Sequence, residues 1–167
     1  WPEAAEAYQQ AVIAWPADQR AYGHLQRLLD DHPSLAASHP QYTDFLEDAA
    51  LAVVHGRRIN EAAHIKRVEV PLPAPVRTLL TAVQITRDTG RVTFTPGELQ
   101  KRMGVESGRW TVVYAPALRT MSSPSENRGD DEDIYREIFS YRGLTELQFS
   151  DRGQRVASLV KPLLEEK

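Results

Sequence analysis

Between Val70 and Pro75 the chain reads Val-Pro-Leu-Pro-Ala-Pro, with proline at positions 71, 73 and 75. Each proline locks its own φ, lacks an N–H and pushes the preceding residue out of helical geometry. Helices and interior strands do not cross such a stretch, so it reads as an extended, stiff connector. The chain is therefore expected to fold as a helical region over residues 1–69, a connector over 70–75 and a second domain over 76–167. A length of 167 residues is enough for one domain or two small ones with real cores.

Composition fits a water-exposed globular protein, with 41% hydrophobic and 26% charged residues. No apolar run approaches a membrane span, and Arg57-Arg58 close off the most apolar stretch, Ala49 to Val54. The N-terminus has no charged-apolar-small signal pattern. The absence of cysteine excludes disulfides, cysteine nucleophiles and thiolate metal sites, and is compatible with the reducing cytoplasm, where the protein is expected. A first residue of Trp1 rather than Met suggests a segment of a longer polypeptide, and the Ala/Arg-rich composition suggests a GC-rich bacterial source. The net charge of −3 argues against a nonspecific nucleic-acid coat. Its distribution is uneven. Residues 1–69 hold 6 Lys/Arg against 10 Asp/Glu, whereas residues 70–167 hold 14 against 13, with four of those acids in Asp130-Asp131-Glu132-Asp133. A local basic face in the second half is thus open.

In the first region Ala4, Tyr8 and Ala11, then Tyr22, Leu25 and Leu29, recur at the spacing of amphipathic helices, separated by Pro16. Ala4, Tyr8, Ala11 and Pro16 resemble the second helix of a tetratricopeptide repeat, and Tyr22 and Leu25 resemble the start of the next repeat. The resemblance covers about the first thirty residues and implies a protein-binding helix pair; an ordinary helical hairpin is the alternative. Asp31-His32-Pro33 and Ser38-His39-Pro40 read as loops. A helix is expected from Gln41 to Val54, ended or kinked at Gly56, with Ile59 to Val68 continuing as helix.

In the second region Val76, Leu79, Leu80, Val83 and Ile85 mark a helix ending near Gly90, and Arg91 to Phe94 reads as a short strand. Thr95, Pro96 and Glu98 form a capping-box start for a helix that Gly104 stops. Residues 107–121 are ambiguous. Trp110, Val113, Ala117, Leu118 and Met121 have helical spacing, yet Thr111 to Tyr114 has strand propensity and Pro116 would remove a helical hydrogen bond. Either a kinked helix spans the stretch or a short helix begins near Pro116. Ser122 to Asp133 is polar and expected to be mobile. Ile134 to Tyr141 and Leu144 to Phe149 read as a hairpin around Arg142-Gly143, and Val156, Leu159, Val160 and Leu163 define a last helix.

At that helix, Phe149-Ser150-Asp151-Arg152-Gly153 resembles the Leu-Thr-Glu-x-Gly phrase that follows the wing in many bacterial regulators. Residues 75–166 thereby resemble the winged helix-turn-helix superfamily. The fold class is then mainly α with a small β-hairpin (α+β). The resemblance implies binding to double-stranded DNA, with residues 107–121 as recognition helix. Arg109, Thr111, Tyr114 and Arg119, with Trp110 beside them, become candidate contacts, because Arg pairs with guanine edges or phosphate and hydroxyls donate to phosphate. The wing would add Arg136, Tyr141 and Arg142, and Lys101 and Arg102 would reach the flanking backbone. Against these stand ordinary roles: solvated surface charge for each Arg, and core packing for Trp110 and Tyr114.

Catalysis finds no motif. The five His fall within residues 24–64 without metal-ligand spacing, the acidic run lacks the alternating ligands of a calcium loop, and no phosphate-cradling glycine loop or Gly-x-Ser-x-Gly elbow occurs. The expectation is a DNA-binding recognition module of a larger protein, not an enzyme, without cofactor or metal. A protein–protein module, with the winged helix as scaffold or dimerisation element, is the alternative.

Overall fold

The computed structural model describes residues 1–65, 70–124 and 133–165. The chain is mainly α with one three-stranded antiparallel sheet, and divides into two compact units. Unit 1 comprises Trp1–Pro71 with Ser158–Lys167, and unit 2 comprises Leu72–Ala157. The last ten residues, which the sequence pattern leaves in the second domain, thus group with the first unit.

Unit 1 begins with α1 (Pro2–Ala14) and α2 (Gln19–Asp31), the expected helix pair. The Asp18 carboxylate accepts the Arg20 N–H at 3.0 Å and caps α2. Short α3 (Pro33–Ser38) and long α4 (Pro40–His64) follow. Pro33 and Pro40 are therefore not loop residues: each opens a helix, where its missing N–H is not needed. The chain turns instead at His32 and His39 alone. Leu25, Leu29, Leu35 and Tyr42 pack with Ala5 in a buried cluster, flanked by Tyr8, Phe45 and Leu46. Helix α4 also runs unbroken through Gly56, neither ending nor restarting there, and stops at His64. Residues 66–69, which include the end of the expected Ile59–Val68 helix, lie outside the described residues.

Gly56 is buried and faces Ala17 of the α1–α2 loop: a Cβ at position 56 would come within 2.9 Å of the Ala17 Cα. The absent side chain lets the loop lie against the helix.

Unit 2 starts with α5 (Ala74–Thr89), so Ala74 and Pro75 belong to the first helical turn and not to the connector. Val76, Leu79, Ala82, Val83 and Ile85 form its buried stripe, and Gly90 ends it in left-handed conformation. Strand β1 (Thr93–Phe94) leads into α6 (Pro96–Met103). Here the capping box is present: Thr95 Oγ1 accepts the Glu98 N–H at 3.1 Å and faces the Glu98 carboxylate at 3.4 Å. After a helical run over residues 107–121 come a 3-10 turn (Asp133–Tyr135), β2 (Phe139–Arg142) and β3 (Glu146–Phe149). The sheet order is β1-β3-β2, with Phe94 opposite Leu147 and Tyr141 also opposite Leu147. Phe94, Phe139 and Phe149 pack ring against ring, with centroids 5.4–5.9 Å apart.

The closing helix runs Asp151–Leu164, its first half in unit 2 and its second half in unit 1. Its start satisfies the Phe149–Gly153 phrase residue by residue. Phe149 joins the aromatic core, Ser150 Oγ accepts the Gly153 N–H at 2.9 Å, and Asp151 sits in the positive first turn. Gly153 has a further role that periodicity does not reveal, since a Cβ there would lie 1.8 Å from the Ile138 carbonyl oxygen.

Candidate nucleic-acid interface

Residues 107–121 form one helical run in three pieces: α7 (Ser107–Arg109), a π-helical turn (Trp110–Tyr114) and α8 (Ala115–Met121). Thr111 to Tyr114 is thus helical and not strand. The Ala115 N–H bonds to the Trp110 carbonyl, five residues back. Pro116 explains the widened turn, since it has no N–H to offer Val112 and its ring would crowd that carbonyl in a tight α-helix. The extra residue per turn moves the buried stripe to Tyr114, Ala117, Leu118 and Met121, leaving Val113 at the surface.

That shift removes one expected contact. Tyr114 is 3% exposed and its hydroxyl accepts a 2.8 Å hydrogen bond from the Arg77 guanidinium. Arg77 also donates to the Met103 carbonyl at 3.1 Å and lies over the Tyr114 ring, while Trp110 stacks nearly parallel on it at 6.0 Å. The aromatic pair packs the 107–121 helix onto α5, so Tyr114 is a core residue and its hydroxyl is held by Arg77. Arg77, which sequence spacing gave no reason to single out, is the group that fixes it.

On the outer face, Val112, Pro116 and Arg119 follow one another at helical spacing, off the buried stripe. Arg109, Thr111 and Arg119 are exposed. The Thr111 hydroxyl donates to the Ser107 carbonyl at 2.9 Å, so its one proton is engaged within the helix and not on offer to a phosphate oxygen as expected. Lys101 and Arg102 occupy the last turn of α6, where positive charge suits the helix C-terminus.

The hairpin is shorter than its sequence pattern. Arg142 and Glu146 are its last paired residues, Gly143 takes φ +74°, and Leu144 at the tip is 98% exposed. Tyr141 and Arg142 are exposed on β2. Arg136 is not on the hairpin. It follows the 3-10 turn, half-buried, with Nε 3.7 Å from the Asp133 carboxylate, because pairing starts only at Phe139. Residues 125–132, which include Asp130, Asp131 and Glu132 of the acidic run and most of the stretch expected to be mobile, lie outside the described residues.

No protein-family model, curated protein or solved structure matches the chain.

Two carboxylates decide which cations stay available. Asp88 pairs with Arg102 and Glu98 with Arg91. The hydrogen bond from Arg102 holds the Asp88 carboxyl below its ordinary range, and that from Arg91 does the same for Glu98. By contrast, Lys101, Arg109, Arg119 and Arg142 form no ion pair with any described residue. The expected contacts therefore separate into four exposed cations without an ion pair, exposed Thr111 and Tyr141, ion-paired Arg102, half-buried Arg136, and Trp110 and Tyr114 stacked on each other, Tyr114 buried. Among the described residues there is no cluster of His, Asp or Glu that could hold a metal ion, and no helix long and apolar enough to cross a membrane.

Proposed function

We propose that unit 2 is a winged helix-turn-helix that binds double-stranded DNA, in a recognition role and not as an enzyme. The observation that carries this reading is topological. Helix, short strand, capped helix, outward-facing helix and hairpin succeed one another, and the first strand lies at the sheet edge beside β3, giving order β1-β3-β2. The 107–121 helix and the 142–145 tip of this unit both carry exposed side chains. The four unpaired cations sit on those elements or on the helix before them, which supports phosphate binding with base reading by the outer face of 107–121. A cytoplasmic location accords with this reading.

The test is fluorescence anisotropy of labelled duplex DNA across 50–200 mM salt. Four phosphate contacts give a slope of log K on log salt of about −3.6, or roughly 150-fold weaker binding across that range. Substituting Arg109 and Arg119 by Gln should lower affinity and flatten the slope by about 1.8. Undetectable binding at 50 mM salt, or binding indifferent to salt, refutes the reading.

One observation favours a second reading, docking of a protein. Leu144 at 98% and Val112 at 74% exposure are large apolar side chains on the same two elements. Leu144→Ser and Val112→Ser should abolish a protein complex while altering the salt slope for DNA little.

A further inference from the structure

We infer a second binding site, in unit 1, for a small organic anion that carries a phosphate or carboxylate headgroup on a planar apolar body. Where the α1–α2 loop crosses α4, the close seat of Ala17 on Gly56 leaves beside it a cleft of about 660 Å³. This is within the ordinary volume range of small-molecule pockets. Its walls include Arg20 from α2 and Arg57 and Arg58 from α4, against the single carboxylate of Asp18. Asp18 is already engaged: it caps α2 and accepts from Arg20 Nε at 3.3 Å. Arg57 and Arg58 form no hydrogen bond or ion pair with any described residue. The cleft thus carries excess positive charge on guanidinium groups, whose fork geometry matches phosphate and carboxylate oxygens. His55, next to the pair, shows the same field: burial first and the Arg58 charge second push its pKa down.

Trp15, Ala17, Gln19 and Val54 complete the lining. Trp15, half-buried, lines the cleft, and Val54 is 57% exposed although it lies on the most apolar part of α4. An aromatic wall beside guanidinium groups selects a ligand with a flat body and an anionic head, in preference to a bare inorganic ion. The headgroup chemistry is shared by phosphorylated and carboxylated molecules, so the two sources are separated by probe.

Calorimetric titration of the full chain with adenosine monophosphate, phenylacetate and inorganic pyrophosphate tests the site. Adenosine monophosphate or phenylacetate should bind with Kd below about 1 mM, the tighter of the two identifying the headgroup. Affinity should fall at least tenfold in R57Q/R58Q and severalfold in W15L. Circular dichroism should show both variants folded, and Leu substitution at Arg20 alone provides a second, milder test should either fail to fold. The inference is overturned if neither organic probe binds at 5 mM, if binding survives R57Q/R58Q, or if pyrophosphate binds as tightly as both organic anions. It is also overturned if R57Q/R58Q weakens duplex DNA binding and no small anion binds, since the arginines would then be backbone contacts. Failure of DNA binding by unit 2 leaves the outcome unaffected, because the readouts are separate.

Discussion

Gly153→Ala isolates a long-range contact in one methyl group. In an open helix, alanine for glycine stabilises by up to about 1 kcal/mol, because alanine loses less backbone entropy on folding. At position 153 the new Cβ would start 1.8 Å from the Ile138 oxygen and 2.8 Å from its carbonyl carbon, both backbone atoms. Ordinary contact begins at 3.4 Å, so the carbonyl and the helix start must separate by 3.4 − 1.8 = 1.6 Å. That displacement breaks the 2.9 Å bond from Ser150 N–H to Ile138 and strains the 2.8 Å bond from Ile138 N–H to Met121. Each buried group left unpaired costs about 1–3 kcal/mol. Ile138 and Phe139 are 0% and 1% exposed, so packing is lost as well. Against the helix-propensity gain, the net loss should be about 3 kcal/mol. Urea unfolding measures it in a Trp1→Phe, Trp15→Phe background, where Trp110 fluorescence reports unit 2. Gly23→Ala is the control: nothing lies within 4 Å of its Cβ position in α2, so it should stabilise by roughly 0.5–1 kcal/mol in the same assay by circular dichroism. A loss below about 1 kcal/mol for Gly153→Ala would sink the argument.

Four further outcomes are expected. Tyr114→Phe should destabilise unit 2 by about 1–2 kcal/mol by stranding part of the Arg77 guanidinium, while duplex DNA affinity in anisotropy stays within about twofold. Glu137 has φ +56°, a left-handed conformation that glycine adopts freely, so Glu137→Gly should be neutral or stabilising by up to about 1 kcal/mol in thermal unfolding, whereas a loss of that size contradicts the strain. Asp88→Asn frees Arg102 from its ion pair and should raise DNA affinity, steepening the salt slope by up to about 0.9; unchanged binding would mean Arg102 lies away from phosphate. Asp88 and Glu98 have carboxyl pKa values depressed in the folded state, so their stabilisation is present above their ordinary values of 3.8 and 4.5 and is lost as pH falls through the folded values. Two-dimensional NMR titration should find both midpoints below those values, and Arg91→Ala should return that of Glu98 toward 4.5.

What the sequence disclosed was local chemistry. The Thr95–Glu98 capping box, the Gly90 and Gly104 stops and the Ser150 cap each depend on residues within four positions, so spacing alone finds them. Pro33 and Pro40 read as loops because a proline carries the same signature before a turn and at the first helical position; a one-residue hinge at His32 or His39 leaves no further mark. Gly153 and Gly56 escaped because the atoms that forbid a side chain, at Ile138 and Ala17, are 15 and 39 residues distant. Arg136 reads as a wing residue because a run of strand formers does not show where pairing begins, which depends on Phe149 meeting Phe139. The Arg57-Arg58 pair looked merely like an interruption of an apolar run, and its meeting with Trp15 and Arg20 required the loop to fold onto α4.

The irregular helix over residues 107–121 decides which of the expected contacts face outward. Sequence spacing in 107–121 nominated Val113 for the core, but Pro116 widens the preceding turn by one residue and Tyr114 takes that place. A straight α-helix would need the Pro116 ring to fit beneath the Val112 carbonyl, at a cost of about 3 kcal/mol or more. The π turn avoids that clash, and the Arg77–Tyr114–Trp110 stack fills the wider turn and fixes it against α5. As a result exposed Thr111 and Val112 belong to a segment whose conformation is set by Pro116 and by the Arg77–Tyr114–Trp110 stack. Local strain held by surrounding structure is typical of sites where geometry matters more than stability. The two sets differ physically: Arg77, Tyr114 and Pro116 fix the helix, while Arg109, Thr111, Val112 and Arg119 are exposed. Substitutions in the first set should change stability, and those in the second should change binding. A change that moved both together would mean that the outer face, too, is part of the fold.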